Sequence, residues 1–239
     1  MILGLDFGNT LLKFAVFKNT QIIHKGILSS FDKKEINDLL LEYKIEKGIL
    51  SSVIPVPKDY LDFLRNKINL QVLDRNTKTN LKLTEYQKDN LGLDRLALCE
   101  GALAEYPNSY HFIICLGSCI TYNLVSPNKE FIGGVISPGL NMKSKSMHDF
   151  TALLPHIPPQ HWEGEMGQDT AGNLLSGLVF GSAYEVDGYI QWAKKNYPNI
   201  KIWLTGGDSK FILDKLSSKD IIFEPNLLWK GLIQLIPSA

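Results

Sequence analysis

A chain of 239 residues with 44% apolar and 21% charged side chains has room for one large or two small domains, and is too apolar for disorder to be its main theme. Its 25 Lys and Arg balance 25 Asp and Glu, so no net field favours a nucleic-acid backbone or an anionic membrane, and any anion site must be local. Three cysteines with neither a CxxC pair nor zinc spacing point to reduced thiols; with no basic leader and no apolar stretch near about 18 residues, the sequence predicts a cytoplasmic protein without a membrane span.

The first stretch, Ile2–Phe17, is an apolar run that stops at Asp6, then a Gly8-Asn9 turn, then Leu12, Phe14 and Val16 alternating with Lys13, Ala15 and Phe17. Two readings fit. One is an ordinary β-hairpin with a polar tip. The other is a phosphate loop: a glycine turn lets backbone N–H groups approach an anion, Asn9 and Thr10 add donors, Lys13 adds charge and Asp6 holds a hydrated Mg²⁺. Residues 21–28 continue as a third strand. Asp32 caps a helix predicted over 33–43, followed by a buried strand over 48–54, a helix over 58–68 and a strand over 70–73. Residues 75–90 are polar and read as a connection with a short edge strand at 81–83. Leu91-Gly92-Leu93-Asp94-Arg95 then leads into an Ala- and Leu-rich helix over 96–106, with Asp94 either the helix cap or a functional acid.

Residues 112–126, FIICLGSCITYNLVS, repeat the opening layout. Aligning Gly8 with Gly117 sets Asp6 against Cys115, Asn9 against Ser118 and Thr10 against Cys119, and residues 130–137 supply the matching third strand. The sequence therefore predicts a duplicated α/β chain with mixed sheets, divided at 1–108 and 109–239. A helix over 140–150 precedes a Pro-rich loop over 155–168, whose His156 and His161 lack Cys or acidic partners and read as packing or surface residues rather than metal ligands. A long helix spans 170–196 with Asp169 or Thr170 as its cap. Gly172, Gly177, Gly181 and Gly188 recur along it at about 1 kcal/mol each against Ala, pointing to a bend, close packing or contact across a dimer. A strand over 200–204 delivers Gly206-Gly207, a tight turn or a ligand position of the kind open α/β sheets use. A helix over 211–216, a strand over 221–223 and a helix over 227–235 end the chain.

Taken in order, Asp6-Phe7-Gly8-Asn9-Thr10 with Lys13, Gly92-Leu93-Asp94-Arg95, Gly117-Ser118 with Thr121, Gly133-Gly134 through Pro138-Gly139, Leu154-Pro155, Asp169-Thr170 and Thr205-Gly206-Gly207-Asp208 resemble the signatures of the type III pantothenate kinases, also called the Bvg accessory factor family. The resemblance runs end to end. It implies the acetate and sugar kinase/Hsc70/actin superfamily, with two ribonuclease-H-like halves in an actin-like ATPase fold and an ATP cleft between them. It also implies ATP-dependent phosphorylation of the primary hydroxyl of pantothenate to 4'-phosphopantothenate, the first step to coenzyme A. Carried over residue by residue, Asp6, Phe7, Gly8, Asn9, Thr10, Leu11, Leu12 and Lys13 would form the phosphate loop, with Asp6 on Mg²⁺ through water. Gly117, Ser118, Gly206 and Gly207 would also meet ATP. Gly92, Leu93, Asp94 and Arg95 would bind pantothenate together with Tyr86 and Thr170, Asp94 accepting the proton. The family's members are typically homodimers that need K⁺ or NH₄⁺.

Three positions depart from the family pattern. Ser118 replaces a Thr and keeps the hydroxyl; Asn123 replaces an Asp and loses a charge; Cys115 replaces the Asp that serves the monovalent cation. A thiol is a poor ligand for K⁺, so the sequence predicts activity with little dependence on K⁺ or NH₄⁺. Two other functions stay open: another small-molecule kinase of the superfamily, which would have no reason to keep residues 92–95, and a non-catalytic nucleotide-binding regulator.

Overall fold

The alternating opening stretch forms β1 (Ile2–Phe7) and β2 (Leu12–Lys18), antiparallel in the computed structural model, and β3 (Gln21–Leu28) continues the meander. The structure describes residues 1–236; the last three residues of the expected second domain lie outside them. Asp32 caps α1 (Lys33–Glu42), its carboxylate accepting the Lys34 N–H at 2.8 Å. Then come β4 (Lys47–Ser52), α2 (Lys58–Lys67) and β5 (Asn69–Val72), the two strands adding in parallel to give the order β3-β2-β1-β4-β5. Between 75 and 90, where an edge strand at 81–83 is expected, only Lys82 is bridged and a short helix, α3 (Glu85–Asn90), forms instead. Its signal is a capping box: Thr84 Oγ1 accepts the Gln87 N–H at 3.3 Å, and Gln87 Oε1 accepts the Thr84 N–H at 2.9 Å. α4 spans Leu93–Glu105, three residues ahead of its expected start.

The second half repeats the plan. β6 (His111–Leu116), β7 (Cys119–Val125) and β8 (Phe131–Pro138) form an antiparallel meander, followed by α5 (Leu140–Asp149) and the 27-residue α6 (Thr170–Asn196). β9 (Lys201–Thr205) and β10 (Ile221–Phe223) join in parallel, so the order β10-β9-β6-β7-β8 is the first sheet's topology again. Each middle strand is bulged near its end, between Val16 and Phe17 and between Leu124 and Val125. The helix expected over 211–216 is two short 3-10 turns, Gly207–Phe211 and Leu213–Lys215. α7 (Leu227–Gln234) ends the described chain.

By internal contacts the chain divides into Met1–Glu105 with the segment from Asn226 onward, and Tyr106–Pro225. This differs from 1–108 and 109–239 at the C-terminus, because α7 packs on α4. In the first unit Leu3, Leu5 and Phe7 meet Ile36, Leu39 and Leu40 of α1 and Tyr60 and Leu64 of α2 on one face of the sheet. The other face packs Ala15, Phe17 and Ile49 against Ala97 of α4 and Trp229 and Leu232 of α7. In the second unit Ile114, Leu116 and Tyr122 pack on Val179, Ala183 and Val186 of α6. Each large apolar side chain so buried stabilises by roughly 1.5–3 kcal/mol. Polar groups drawn inward find partners: His111 accepts from Trp203 Nε1 at 3.0 Å and donates through Nε2 to the Tyr106 carbonyl at 2.8 Å, while burial pushes its pKa down to about 4.

Candidate active site

β1 ends on Asp6 and Phe7 because the apolar alternation ends there, and the strand pairing sets the neighbours of Asp6. It stands in register with Lys13 on one side and Ser51 on the other, a row across β2, β1 and β4 on the face that α4 and α7 cover. Asp6 is 7% exposed and its Oδ2 lies 4.0 Å from Lys13 Nζ. Burial raises its pKa to about 6; Lys13 opposes the shift and the nearby carboxylate of Asp94 adds to it. Asp94 therefore lies near enough to act on the charge of Asp6, and both belong to the first unit. Asp94 is the second residue of α4, and the helix opens with the Leu96 N–H donating to the Gly92 carbonyl at 3.0 Å. Asp94 therefore stands in the first turn of the helix, where its carboxylate also suits the positive end of the helix dipole. A side chain at Gly92 would come within 2.6 Å of Asp94 Oδ1.

The loop between β1 and β2 closes through the Gly8 N–H, which donates to the Leu11 carbonyl at 3.0 Å, and presents Asn9, Thr10 and Leu11 to solvent. In the second unit the Gly117 N–H donates to the Cys119 carbonyl at 3.0 Å, and Leu116 pairs with Ile120 as Phe7 pairs with Leu12. The second loop is one residue shorter, so Cys119 corresponds to Leu11 rather than to Thr10, and Thr121 corresponds to Lys13. The row matching Lys13–Asp6–Ser51 is Thr121–Cys115–Thr205. It offers two hydroxyls and a thiol where a carboxylate would be needed to offset a cation's charge, so it does not fit the monovalent cation of the family. Asn123 is buried, and its amide donates to the Ile113 carbonyl at 3.3 Å, a bond an Asp carboxylate could not make.

Backbone crowds this second loop. Gly206 has φ +96, and a Cβ there would lie 2.2 Å from the Leu116 oxygen; a Cβ on Gly139 would lie 2.3 Å from the Gly117 oxygen. Only glycine permits either approach, so the Gly206-Gly207 turn and the start of α5 are brought beside Gly117 and Ser118. Gly139 belongs to a motif the sequence singles out but carries no assigned role there. Thr170 is the exposed first residue of α6, capped by Asp169, whose carboxylate accepts the Gly172 N–H at 2.7 Å. Tyr86 is 77% exposed on α3, the short helix just ahead of Gly92. Among the described residues no group of three or more His, Cys, Asp or Glu is placed to hold a metal. Mg²⁺ asks for less, since one or two carboxylates, waters and substrate phosphates complete its shell, and Asp6 offers the hard oxygen it takes.

A family model described as type III pantothenate kinase matches residues 2–192. A type III pantothenate kinase of Flavobacterium psychrophilum is 34% identical over 238 residues, covering 98% of both chains. Among solved structures, a Campylobacter jejuni protein assigned to the Baf family of transcriptional activators superposes with a TM-score of 0.59 at 24% identity, covering 98% of this chain and 96% of that one. A Listeria monocytogenes protein described as a candidate N-acetylmannosamine kinase superposes at 0.50 with 14% identity, covering 98% and 97%. The architecture is that of the actin-like ATPases and sugar kinases. By matched length and by identity, the chain belongs to the type III pantothenate kinase family, a family of kinases.

Proposed function

We propose that the chain transfers the γ-phosphoryl group of ATP to the primary hydroxyl of pantothenate, giving 4'-phosphopantothenate and ADP for coenzyme A synthesis. The observation that carries this is the pair of carboxylates in the first unit, Asp6 buried at a strand end beside Lys13 and Asp94 in the first turn of α4. Phosphoryl transfer asks for positioning and charge neutralisation rather than a covalent intermediate. The exposed loop residues Asn9, Thr10 and Leu11, with Lys13, meet the phosphates; in the second unit Ser118 and the Gly206-Gly207 turn do the same. Asp6 would hold Mg²⁺ through water, and the ion would supply charge neutralisation at the phosphate oxygens. Gly92, Leu93 and Arg95, with Thr170 and Tyr86, hold pantothenate. Asp94 accepts the hydroxyl proton as the new P–O bond forms and the bond to the β-phosphate breaks.

The same reading makes the enzyme a cytoplasmic homodimer. No described helix is long and apolar enough to cross a membrane. Along α6 a Cβ at Gly177, Gly181 or Gly188 would meet nothing within 4 Å, and Val135, Tyr184, Tyr189 and Trp192 line an apolar groove of about 610 Å³ beside it. These features support a second copy packing there.

Product formation from pantothenate and ATP, followed by mass, is the test, with Asp94→Asn alongside. The parent should form 4'-phosphopantothenate, and the variant should fold and bind ATP while turning over at least about a hundredfold more slowly, the scale of a lost general base. No product from the parent would overturn the reading. A variant within a few-fold of the parent would return Asp94 to a structural role.

A further inference from the structure

Among the described residues three buried side-chain polar atoms have no hydrogen-bond partner: Tyr60 Oη, Gln71 Oε1 and Ser51 Oγ. Tyr60 stands in the aromatic cluster with Phe7 and Phe31, on the sheet face opposite Asp6, and Gln71 still donates to the Leu235 carbonyl at 3.1 Å. Ser51 differs. It is 0% exposed, it makes no bond at all through its side chain, and it is the β4 residue in register with Asp6. Neighbouring strands lie about 4.8 Å apart and registered side chains share a face, so Ser51 and Asp6 are neighbours on that face. The adjacent serine shows what an ordinary structural hydroxyl does here: Ser52 Oγ donates to the Ile54 carbonyl at 2.7 Å and accepts the Ile54 N–H at 3.3 Å. An orphaned buried hydroxyl destabilises the ligand-free protein, and alanine would fill nearly the same space without that penalty.

We propose that Ser51 is a positioning residue for the metal–phosphate end of the site, its hydroxyl donating to a metal-bound water that the Asp6 carboxylate also holds. The proposal rests on the reading above in one respect, that Asp6 serves Mg²⁺ through water. A hydration shell held from two sides has one orientation, and a water hydrogen-bonded by Ser51 and Asp6 together is fixed relative to the β1–β2 loop. Within the row the hydroxyl has no other task, because Lys13 faces Asp6 from the opposite strand.

Mn²⁺ stands in for Mg²⁺ in the test, its binding to the ATP-loaded protein titrated by electron paramagnetic resonance, with unfolding of each ligand-free variant measured in parallel. Ser51→Ala should be at least as stable as the parent, bind Mn²⁺ in the presence of ATP about tenfold more weakly, and lose kcat while keeping its KM for pantothenate. Ser51→Thr, which returns a hydroxyl, should recover Mn²⁺ affinity. Equal Mn²⁺ binding by Ser51→Ala and the parent would overturn the proposal, as would equal losses in the Ala and Thr variants, which would mark packing rather than the hydroxyl. A parent that binds Mn²⁺ with ATP but does not phosphorylate pantothenate would overturn the substrate reading and leave the Ser51 comparison intact. A parent that binds no metal nucleotide would overturn both.

Discussion

Asp6 carries a carboxylate where burial disfavours its charge. With the pKa raised from 3.8 to about 6, the folded state holds the proton more tightly than the unfolded chain. Stability therefore falls as the pH rises between about 4 and 6, and the penalty is complete above that window, on the order of 3 kcal/mol for a shift of this size. A buried group that is costly without its ligand is what a functional position often looks like. Asp6→Asn removes the charge, so in metal-free buffer with chelator the variant should be more stable than the parent at pH 7, by up to roughly 3 kcal/mol in urea unfolding, and nearly level with it at about pH 4. Its Mg²⁺-dependent turnover should fall at the same time. A variant no more stable than the parent at pH 7 would show that Lys13 already offsets the burial of Asp6.

Among the elements, α4 positions the acid that the proposed reaction needs, and α7 holds α4 in place. The two helices touch backbone to backbone at paired glycines. A Cβ at Gly231 would sit 1.7 Å from the Ala97 oxygen, and one at Gly101 would sit 2.5 Å from the Leu227 oxygen. Gly231→Ala improves helix propensity by about 1 kcal/mol but forces the helices apart, and overpacking typically destabilises by about 1–3 kcal/mol, more where the obstacle is rigid backbone. The steric effect should win. We expect a net loss of at least about 2 kcal/mol in thermal or urea unfolding, and an unchanged or higher midpoint would show that α7 can shift without consequence. Composition marks both segments as helices, but nothing local in either says that Gly101 and Gly231 meet.

Over the whole molecule the duplication is complete in topology and incomplete in chemistry. Both sheets place a hairpin loop after their first strand, and both set a three-residue row behind it: Lys13–Asp6–Ser51 in one unit and Thr121–Cys115–Thr205 in the other. The first row keeps an acid and a base. The second has neither, so nothing in it offsets the charge of K⁺. Turnover should therefore differ by less than about twofold among Na⁺, K⁺ and NH₄⁺ buffers of equal ionic strength, and Cys115→Asp, which restores a carboxylate, should introduce a K⁺ response. A strong K⁺ requirement in the parent would show that other oxygens rebuild the site.

Much of this was legible in the chain itself. Period-two alternation around Gly8 and Gly117 marked both hairpins, the repeat announced the duplication, and Asp6, Asp94 and the Gly206-Gly207 turn stood out by residue type and place, because strand alternation and turn chemistry are local properties. Other features needed the tertiary structure. The one-residue difference between the loops follows from strand register, the attachment of α7 to the first unit from two glycines far apart in sequence, and the place of Ser51 beside Asp6 from the parallel pairing of β4 with β1. Local periodicity says which face a residue occupies. Which distant residue shares that face is decided only when the strands pair and the helices close over them.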